Sequence, residues 1–230
     1  MPTSQNPHFG PVPRRTVLRA AAASGLAALG WQTAFRIPAV ADADAPPGVD
    51  CYTQAYRNWS GEIQADAVLT CAPSSAEQAV AVVNWARRRS IRVRPAGMRH
   101  GWSPLTITNG GGQDSILIDL TEHLTSVEIT ADPHGPVVIA QTGTTMTDLL
   151  TELETHGYGF AAGPAPGDLS LGGVLAIDGH GTAVPVDGEQ AAAGQTFGTI
   201  SNLITAVKAV VWTIHRARIS CATSIVRTLR

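Results

Sequence analysis

One loop of this sequence combines a histidine with residues that force a tight backbone path. It runs from Arg94 to Pro104, directly after an alternating segment that is typical of a strand. Glycine has no Cβ, so the backbone amides around Gly97 and Gly101 can approach an anion such as a phosphate closely. Taken alone, His100 could also be an ordinary loop histidine without a chemical role. The loop contains Arg94, Ala96, Gly97, Met98, Arg99, His100, Gly101 and Ser103.

A second glycine-rich segment occupies residues 162–181. Its paired glycines would allow backbone amides to point at phosphate oxygens. The segment has no lysine for a P-loop and no Gly-x-Gly-x-x-Gly fingerprint, so neither of those nucleotide sites is predicted. A glycine-rich surface loop is the alternative interpretation. The segment contains Pro166, Gly167, Asp168, Ser170, Gly172, Gly173, Gly179, His180 and Gly181.

No metal site is predicted. Asp178 and His180 supply one carboxylate and one imidazole, which are too few for the three or four protein ligands of a typical site. Asp119, Glu122 and His123 follow an apolar strand and are expected at the surface.

Composition excludes several classes of protein. The 230 residues are 44% hydrophobic with a formal net charge of -2, which favours a packed core and gives no reason to expect nucleic acid as a partner. The three cysteines are odd in number and fit no zinc spacing. Cys51 and Cys71 could pair in an extracytoplasmic protein, whereas three unpaired cysteines are the alternative.

Hydrophobic patterning predicts an α+β domain that could position these loops. A first helix begins at a Ser74 or Ser75 cap and ends at Arg87-Arg88-Arg89. A second begins at Thr144 or Thr145, runs to about His156 and is stopped by Gly157. Strands are predicted at 65–70, 91–94, 115–120, 136–142 and 206–211.

The motif Arg-x-x-Gly-x-x-His-Gly-Trp-Ser at 94–103 resembles the first pyrophosphate loop of the vanillyl-alcohol-oxidase-type (PCMH-type) FAD-binding family. The resemblance implies a fold of two small α/β subdomains and FAD as cofactor, attached through His100. Segment 162–181 is similar to the second phosphate-contacting segment of that family. It lacks the cysteine of doubly attached members, so at most one covalent link is expected. The resemblance implies that the residues named above in loop 94–104 and segment 162–181 bind the cofactor, together with Gly143, Gly198 and Ile200, while Asn202 replaces a frequent aspartate.

Residues 50–212 resemble most closely the N-terminal part of the bacterial type II cholesterol oxidases. The resemblance implies oxidation of a small-molecule alcohol, such as a sterol, with dioxygen as electron acceptor and hydrogen peroxide as product. Two alternatives stay open, a sugar or aldonolactone oxidase and a truncated, non-catalytic fragment. The catalytic base is not identified.

The first 45 residues are typical of an export signal and linker. Arg14 and Arg15 precede an apolar run from Ala20 to Gly30, which is too short to span a bilayer. The arginine pair resembles a twin-arginine signal, which exports folded proteins and predicts a periplasmic or extracellular location without an integral membrane segment in the mature chain. A cytosolic amphipathic helix is the alternative.

Residues 213–230 carry Arg216, Arg218, Arg227 and Arg230 and do not continue the resemblance. We interpret them as an unrelated tail produced by a frameshift or truncation, so the flavin fold is expected to be incomplete and its substrate domain missing. A short C-terminal helix or a disordered tail is the alternative.

Overall fold

The computed structural model describes residues 37–38, 45–133, 135–160, 162–182, 184–190, 197–213 and 218–224. These residues belong to one unit, 36–230. The predicted export signal lies outside the described residues apart from 37–38 and 45, and so do residues 214–217 and 225–230 of the predicted tail. No helix in the described part is long and apolar enough to cross a membrane.

A five-stranded sheet carries the first subdomain. Its strands are β1 (Ile37–Pro38), β2 (Asp50–Arg57), β3 (Gln64–Ala72), β4 (Arg92–Ala96) and β5 (Ser115–Asp119), in the spatial order β1-β2-β3-β5-β4. The pairs β1/β2 and β2/β3 are antiparallel, whereas β3/β5 and β4/β5 are parallel. The parallel pair β4/β5 brings its two carboxyl ends to one edge, where the histidine loop begins.

Successive side chains of β5 pack against opposite faces of this sheet, as the period of a strand requires. Ile116 and Ile118 contact α1 (Ala76–Arg88), whose buried face includes Val82 and Trp85. Leu117 joins the other face, in a cluster with residues of β2, β3 and the loops. All five residues of β5 are buried, which explains why this strand appears as a continuous apolar run.

The second subdomain surrounds a separate apolar cluster. It contains the hairpin of β6 (Val127–Thr130) and β7 (Val137–Ala140), the helices α2 (Met146–Thr155) and α3 (Leu171–Ala176), and a 3₁₀ helix at Ile200–Leu203. Met146, Leu149 and Leu153 lie one or two helical turns apart and face the hairpin. Two α/β subdomains of this size confirm the predicted fold class.

The predicted helix ends are confirmed. Ser75 and Thr145 are the N-caps, and their hydroxyl oxygens accept hydrogen bonds from the amides of Gln78 and Asp148. Gly157 has φ of 77°, which suits the left-handed turn that ends α2.

A disulfide joins Cys51 and Cys71, which face each other directly across β2 and β3. The alternative of three unpaired cysteines was therefore wrong for these two. Asp119 also differs from its prediction as a surface residue. It is buried at the end of β5, where its carboxylate accepts hydrogen bonds from the amide and hydroxyl of Thr121.

The last described strands form a hairpin, β8 (Val207–Thr213) with β9 (Arg218–Ser224), paired antiparallel. Residues predicted as an unrelated tail thus contain a strand that extends the fold and lies near α1. This strand is neither of the two forms weighed for the tail, a helix or a disordered segment.

Candidate functional site

The histidine loop leaves the carboxyl end of β4, and the turn between β2 and β3 holds its backbone. The Trp59 amide donates to the Arg99 carbonyl oxygen (2.8 Å), and Asn58 Nδ2 donates to the Gly101 carbonyl oxygen (3.0 Å). Asn58 is itself buried and accepts a hydrogen bond from the Ile63 amide. The two carbonyls that flank His100 are therefore fixed to one rigid turn.

Arg99 adopts the left-handed conformation, with φ of 61°. Its guanidinium donates to Gln54 Oε1 (2.9 Å) and lies 5.3 Å from the centre of the Tyr56 ring. Gln54 donates in turn to the buried Thr70 hydroxyl. The Arg99 side chain thus points into contacts with β2, and its contact with a cofactor stays a prediction.

Tyr56 lies beneath this network. Burial raises the pKa of the Tyr56 phenol above its usual value, while a hydrogen bond with Thr106 and the positive charge of Arg99 act in the opposite direction. The phenol stays neutral at physiological pH, so it serves as a packing surface for Arg99.

Two residues contact the His100 ring directly. Its Nε2 lies 3.1 Å from Asp168 Oδ2, and its plane stacks on Trp59 with ring centres 5.8 Å apart and an interplanar angle of 22°. The His100 side chain is 21% exposed and that of Asp168 is 59% exposed. Both predicted glycine-rich segments therefore meet at this histidine.

Backbone contacts bring the second glycine-rich segment against the start of α2. The Thr147 amide donates to the Gly167 carbonyl (2.9 Å), and the Leu171 amide donates to the Thr144 carbonyl (2.8 Å). Gly97 lies so close to the Ser170 side chain that an added Cβ would collide with its hydroxyl. Glycine at 97 is thus required by the close approach of the two loops.

Several glycines that were expected to direct their amides at phosphate instead donate those amides to acceptors within the chain. The Gly172 amide donates to the Thr142 carbonyl, and the Gly173 amide to Ser170 Oγ, because both glycines lie in the first turn of α3. The amides of Gly143 and Gly179 also donate within the chain, to the carbonyls of Leu124 and Val174. These four glycines permit close packing, and their amides are used internally.

The amides of residues 97–101 have no hydrogen-bond acceptor among the described residues. Clusters of amides in a glycine-containing loop suit an anionic group such as a diphosphate. The loop around His100 therefore fits the cofactor better than the first turn of α3 does.

The remaining predicted positions make contacts of their own within the described part of the chain. His180 forms an isolated β-bridge with Thr199, and the Ile200 amide donates to the Gly179 carbonyl (3.1 Å). Gly181 lies directly against the Gly163 backbone, and Gly198 has φ of 109°. Among Arg94, Ala96, Met98, Ser103 and Pro166, Ala96 is buried and Arg94 is exposed on β4. Their contacts with a cofactor stay a prediction.

Sequence reasoning missed the residues of β2 and its turn, namely Gln54, Tyr56, Asn58 and Trp59. Nothing in their local pattern indicates a functional role, and Arg99 lies 45 residues beyond Gln54 in the chain. Within the described residues, no three His, Cys, Asp or Glu side chains cluster closely enough to hold a metal ion.

Comparison with known proteins places this geometry in a family. A solvent-stable cholesterol oxidase of known structure is 44% identical with a TM-score of 0.75, over 82% of this chain and 35% of that one. The cholesterol oxidase from B. sterolicum is 37% identical with a TM-score of 0.74, over 79% of this chain and 34% of that one. The chain thus spans about a third of the length of these oxidases.

Two more distant relatives are also oxidases. The L-gulonolactone oxidase of Scyliorhinus torazame is 24% identical over 129 residues, which are 56% of this chain and 28% of that protein. A glycopeptide hexose oxidase, 19% identical with a TM-score of 0.55 over 76% of this chain and 31% of that one, shares the fold. A model of the FAD binding domain family matches residues 67–210. The chain therefore belongs to the FAD binding domain family, and its cofactor is FAD.

Proposed function

We propose that this chain is the FAD-binding part of an exported flavin-dependent oxidase that acts on a sterol alcohol, with FAD attached through His100. The observation that carries the proposal is the His100 ring, held between Asp168 and Trp59 beside amides that have no acceptor in the described part of the chain. When bound, FAD accepts a hydride from the alcohol and passes the electrons to dioxygen, which becomes hydrogen peroxide.

The chain's own residues would bind FAD and orient it. The loop at 97–101 would hold the diphosphate through its amides, and the turn at Asn58 and Trp59 keeps that loop in place. A ring nitrogen of His100 would bond to the 8-methyl carbon of the flavin. That bond would replace one C–H and one N–H bond, and dioxygen would be the oxidant that takes up the two protons and two electrons as hydrogen peroxide.

Identity with two cholesterol oxidases, 44% and 37%, supports the sterol as substrate. The 24% identity with an L-gulonolactone oxidase supports the aldonolactone alternative less strongly. Translation of the DNA downstream of the Arg230 codon in all three frames tests this choice. A substrate domain like that of the cholesterol oxidases supports the sterol, and one like that of an aldonolactone oxidase contradicts it.

Export is supported by two independent features. The Arg14-Arg15 pair with its short apolar run is typical of a twin-arginine signal. The Cys51–Cys71 disulfide suits an oxidising compartment outside the cytoplasm. Fractionation of the native host tests the proposal, and a protein found in the cytoplasm with its signal uncleaved would contradict it.

A chain that binds FAD without oxidising any alcohol is the second candidate function. This candidate concerns the 230 residues alone, which span 35% and 34% of the two cholesterol oxidases. The purified chain can be incubated with cholesterol and assayed for hydrogen peroxide. Peroxide above that of the flavin-free chain would contradict this candidate.

The first prediction concerns His100. We expect the chain expressed with FAD to give a fluorescent band on a denaturing gel, and His100→Ala to abolish that fluorescence because the bonding nitrogen is gone. His123→Ala changes an exposed histidine and should keep the fluorescence. Native gel filtration should show FAD retained by all three chains, which separates loss of the bond from loss of folding. Equal in-gel fluorescence in His100→Ala would refute the attachment.

A further inference from the structure

Asp168 reaches His100 from the second glycine-rich segment, 68 residues farther along the chain. Its carboxylate lies 3.1 Å from His100 Nε2, within the range of a charge-assisted hydrogen bond. No other described carboxylate contacts this ring. The ring nitrogen that faces Asp168 therefore acts as a donor, because an ionised carboxylate can only accept.

The hydrogen bond made by one ring nitrogen decides which nitrogen of a neutral imidazole carries the proton. With the proton on Nε2, the lone pair is on Nδ1. The stack on Trp59 holds the plane of the ring at the same time. Two contacts, one at an edge and one on a face, thus define both the tautomer and the orientation of the His100 ring.

We propose that Asp168 is a positioning residue for flavin attachment: it keeps His100 protonated on Nε2 and so leaves Nδ1 free to form the bond. This proposal rests on the proposed attachment through His100. When Nδ1 bonds to the methyl carbon, that carbon loses one proton and Asp168 accepts the second from Nε2. The two electrons would be taken up by dioxygen, which with the two protons becomes hydrogen peroxide.

A purely structural role for Asp168 would be to tie the two loops together. The structure already supplies another contact between the two loops, since Gly97 lies directly against the Ser170 side chain, and the Thr147 amide separately holds Gly167 to the start of α2. The Asp168 carboxylate is also more than half exposed, at 59%, where a single ion pair adds little stability. Loss of this carboxylate should therefore affect attachment more than folding.

Asp168→Asn is the test, because an amide has the same shape but can donate as well as accept and no longer dictates the tautomer. Asp187→Asn is the matched control, since Asp187 is exposed and makes the same change of charge without contacting His100. Each flavin-free chain is mixed with FAD in air, and in-gel flavin fluorescence is followed with time. We expect attachment to be about tenfold slower in Asp168→Asn, the order seen when a histidine loses its orienting partner.

A second readout needs no flavin. The ¹⁵N chemical shifts of the neutral His100 ring in the flavin-free chains report which nitrogen is protonated. We expect Nε2 protonation in the wild type and in Asp187→Asn, and a shift toward Nδ1 protonation in Asp168→Asn. Thermal unfolding of the three chains should coincide within about 2 °C, as expected for changes at exposed positions.

Each outcome separates the two proposals. If Asp168→Asn attaches FAD as fast as Asp187→Asn and keeps the wild-type tautomer, the positioning role is wrong while attachment stands. If the wild type binds FAD but never gains in-gel fluorescence, attachment through His100 is itself wrong. Slower attachment with an unchanged tautomer would also overturn the role given to Asp168.

Discussion

The left-handed backbone of Arg99 sets the direction in which His100 leaves the loop. A residue with a Cβ is disfavoured at φ of 61° by roughly 1 kcal/mol, so other contacts must offset that cost. Here the guanidinium donates to Gln54 and lies over Tyr56, and the Arg99 carbonyl accepts from Trp59. One residue thus combines an unfavourable backbone conformation with the tethers that maintain it.

This arrangement predicts a difference between two truncations of Arg99. Arg99→Ala and Arg99→Gly both remove the guanidinium contacts, but only glycine adopts the positive φ without strain. We expect Arg99→Gly to be more stable than Arg99→Ala by about 1 kcal/mol, measured by urea unfolding. Equal stabilities would show that the backbone moves out of the left-handed region once the side chain is lost.

At the scale of elements, helix α2 begins at the point where the second glycine-rich segment is attached. Thr145 caps the helix by accepting from the Asp148 amide, and its hydroxyl donates to the Asp148 carboxylate (2.6 Å). The next two amides, of Met146 and Thr147, donate to the carbonyls of Leu169 and Gly167. These first-turn amides have no acceptor within the helix itself, and they hold the loop that presents Asp168 to His100.

The cap can be tested with two threonines of the same helix. Thr145→Ala should lower the free energy of unfolding by about 1 kcal/mol, because the Asp148 amide loses its acceptor. Thr151→Ala should be neutral or slightly stabilising, since Thr151 is exposed within the helix and alanine has the higher helix propensity. Chemical denaturation of the two variants beside the wild type gives both values. An equal loss in both variants would mean that the cap contributes nothing specific.

At the scale of the molecule, a disulfide cross-links two strands of the sheet that supports the histidine loop. It joins Cys51 to Cys71 on the β2/β3 pair and spans 20 residues, including the turn with Asn58 and Trp59. Closing a loop of this length restricts the unfolded chain by about 3 kcal/mol. The turn that fixes the His100 loop is therefore enclosed by the cross-link.

We expect a reducing agent to lower the free energy of unfolding by about 3 kcal/mol, measured by urea unfolding with and without the reductant. The double variant Cys51→Ala/Cys71→Ala is the control. It lacks the disulfide, so the reductant should leave the urea concentration at its unfolding midpoint unchanged. A wild-type midpoint that is unchanged by reduction would show that the cross-link adds no stability to this fold.

The elements that the sequence predicted share a strong local signal. Strand β5 is a continuous apolar run, and α1 and α2 each have an apolar stripe and a hydroxyl cap. Strand β2 was missed because buried Gln54 lies between buried Tyr52 and Tyr56, which hides the alternation that marks a strand. Helix α3 was missed because Gly172 and Gly173 are poor helix formers. The Ser170 cap and the buried Leu171 and Val174 stabilise it.

The same division holds for the site. The histidine loop and the glycine-rich segment were recognisable from residue types and spacing, because close backbone approach demands glycine locally. Which amides are free could not be predicted, since Gly172 donates to Thr142 in another segment. Strand β9 was not predicted from the sequence for the same reason, because its pairing with β8 is a contact between two segments of the chain.

By itself, the sequence determined the family, the cofactor and the helix ends, because each depends on a short pattern of residue types, and the role of His100 stays a prediction from such a pattern. Only the tertiary structure decided what surrounds His100. Trp59 lies on the turn after β2, and Asp168 lies 68 residues beyond the histidine. Such partners meet only when sheet packing and the backbone hydrogen bonds between loops have brought them together, and neither is encoded in local spacing.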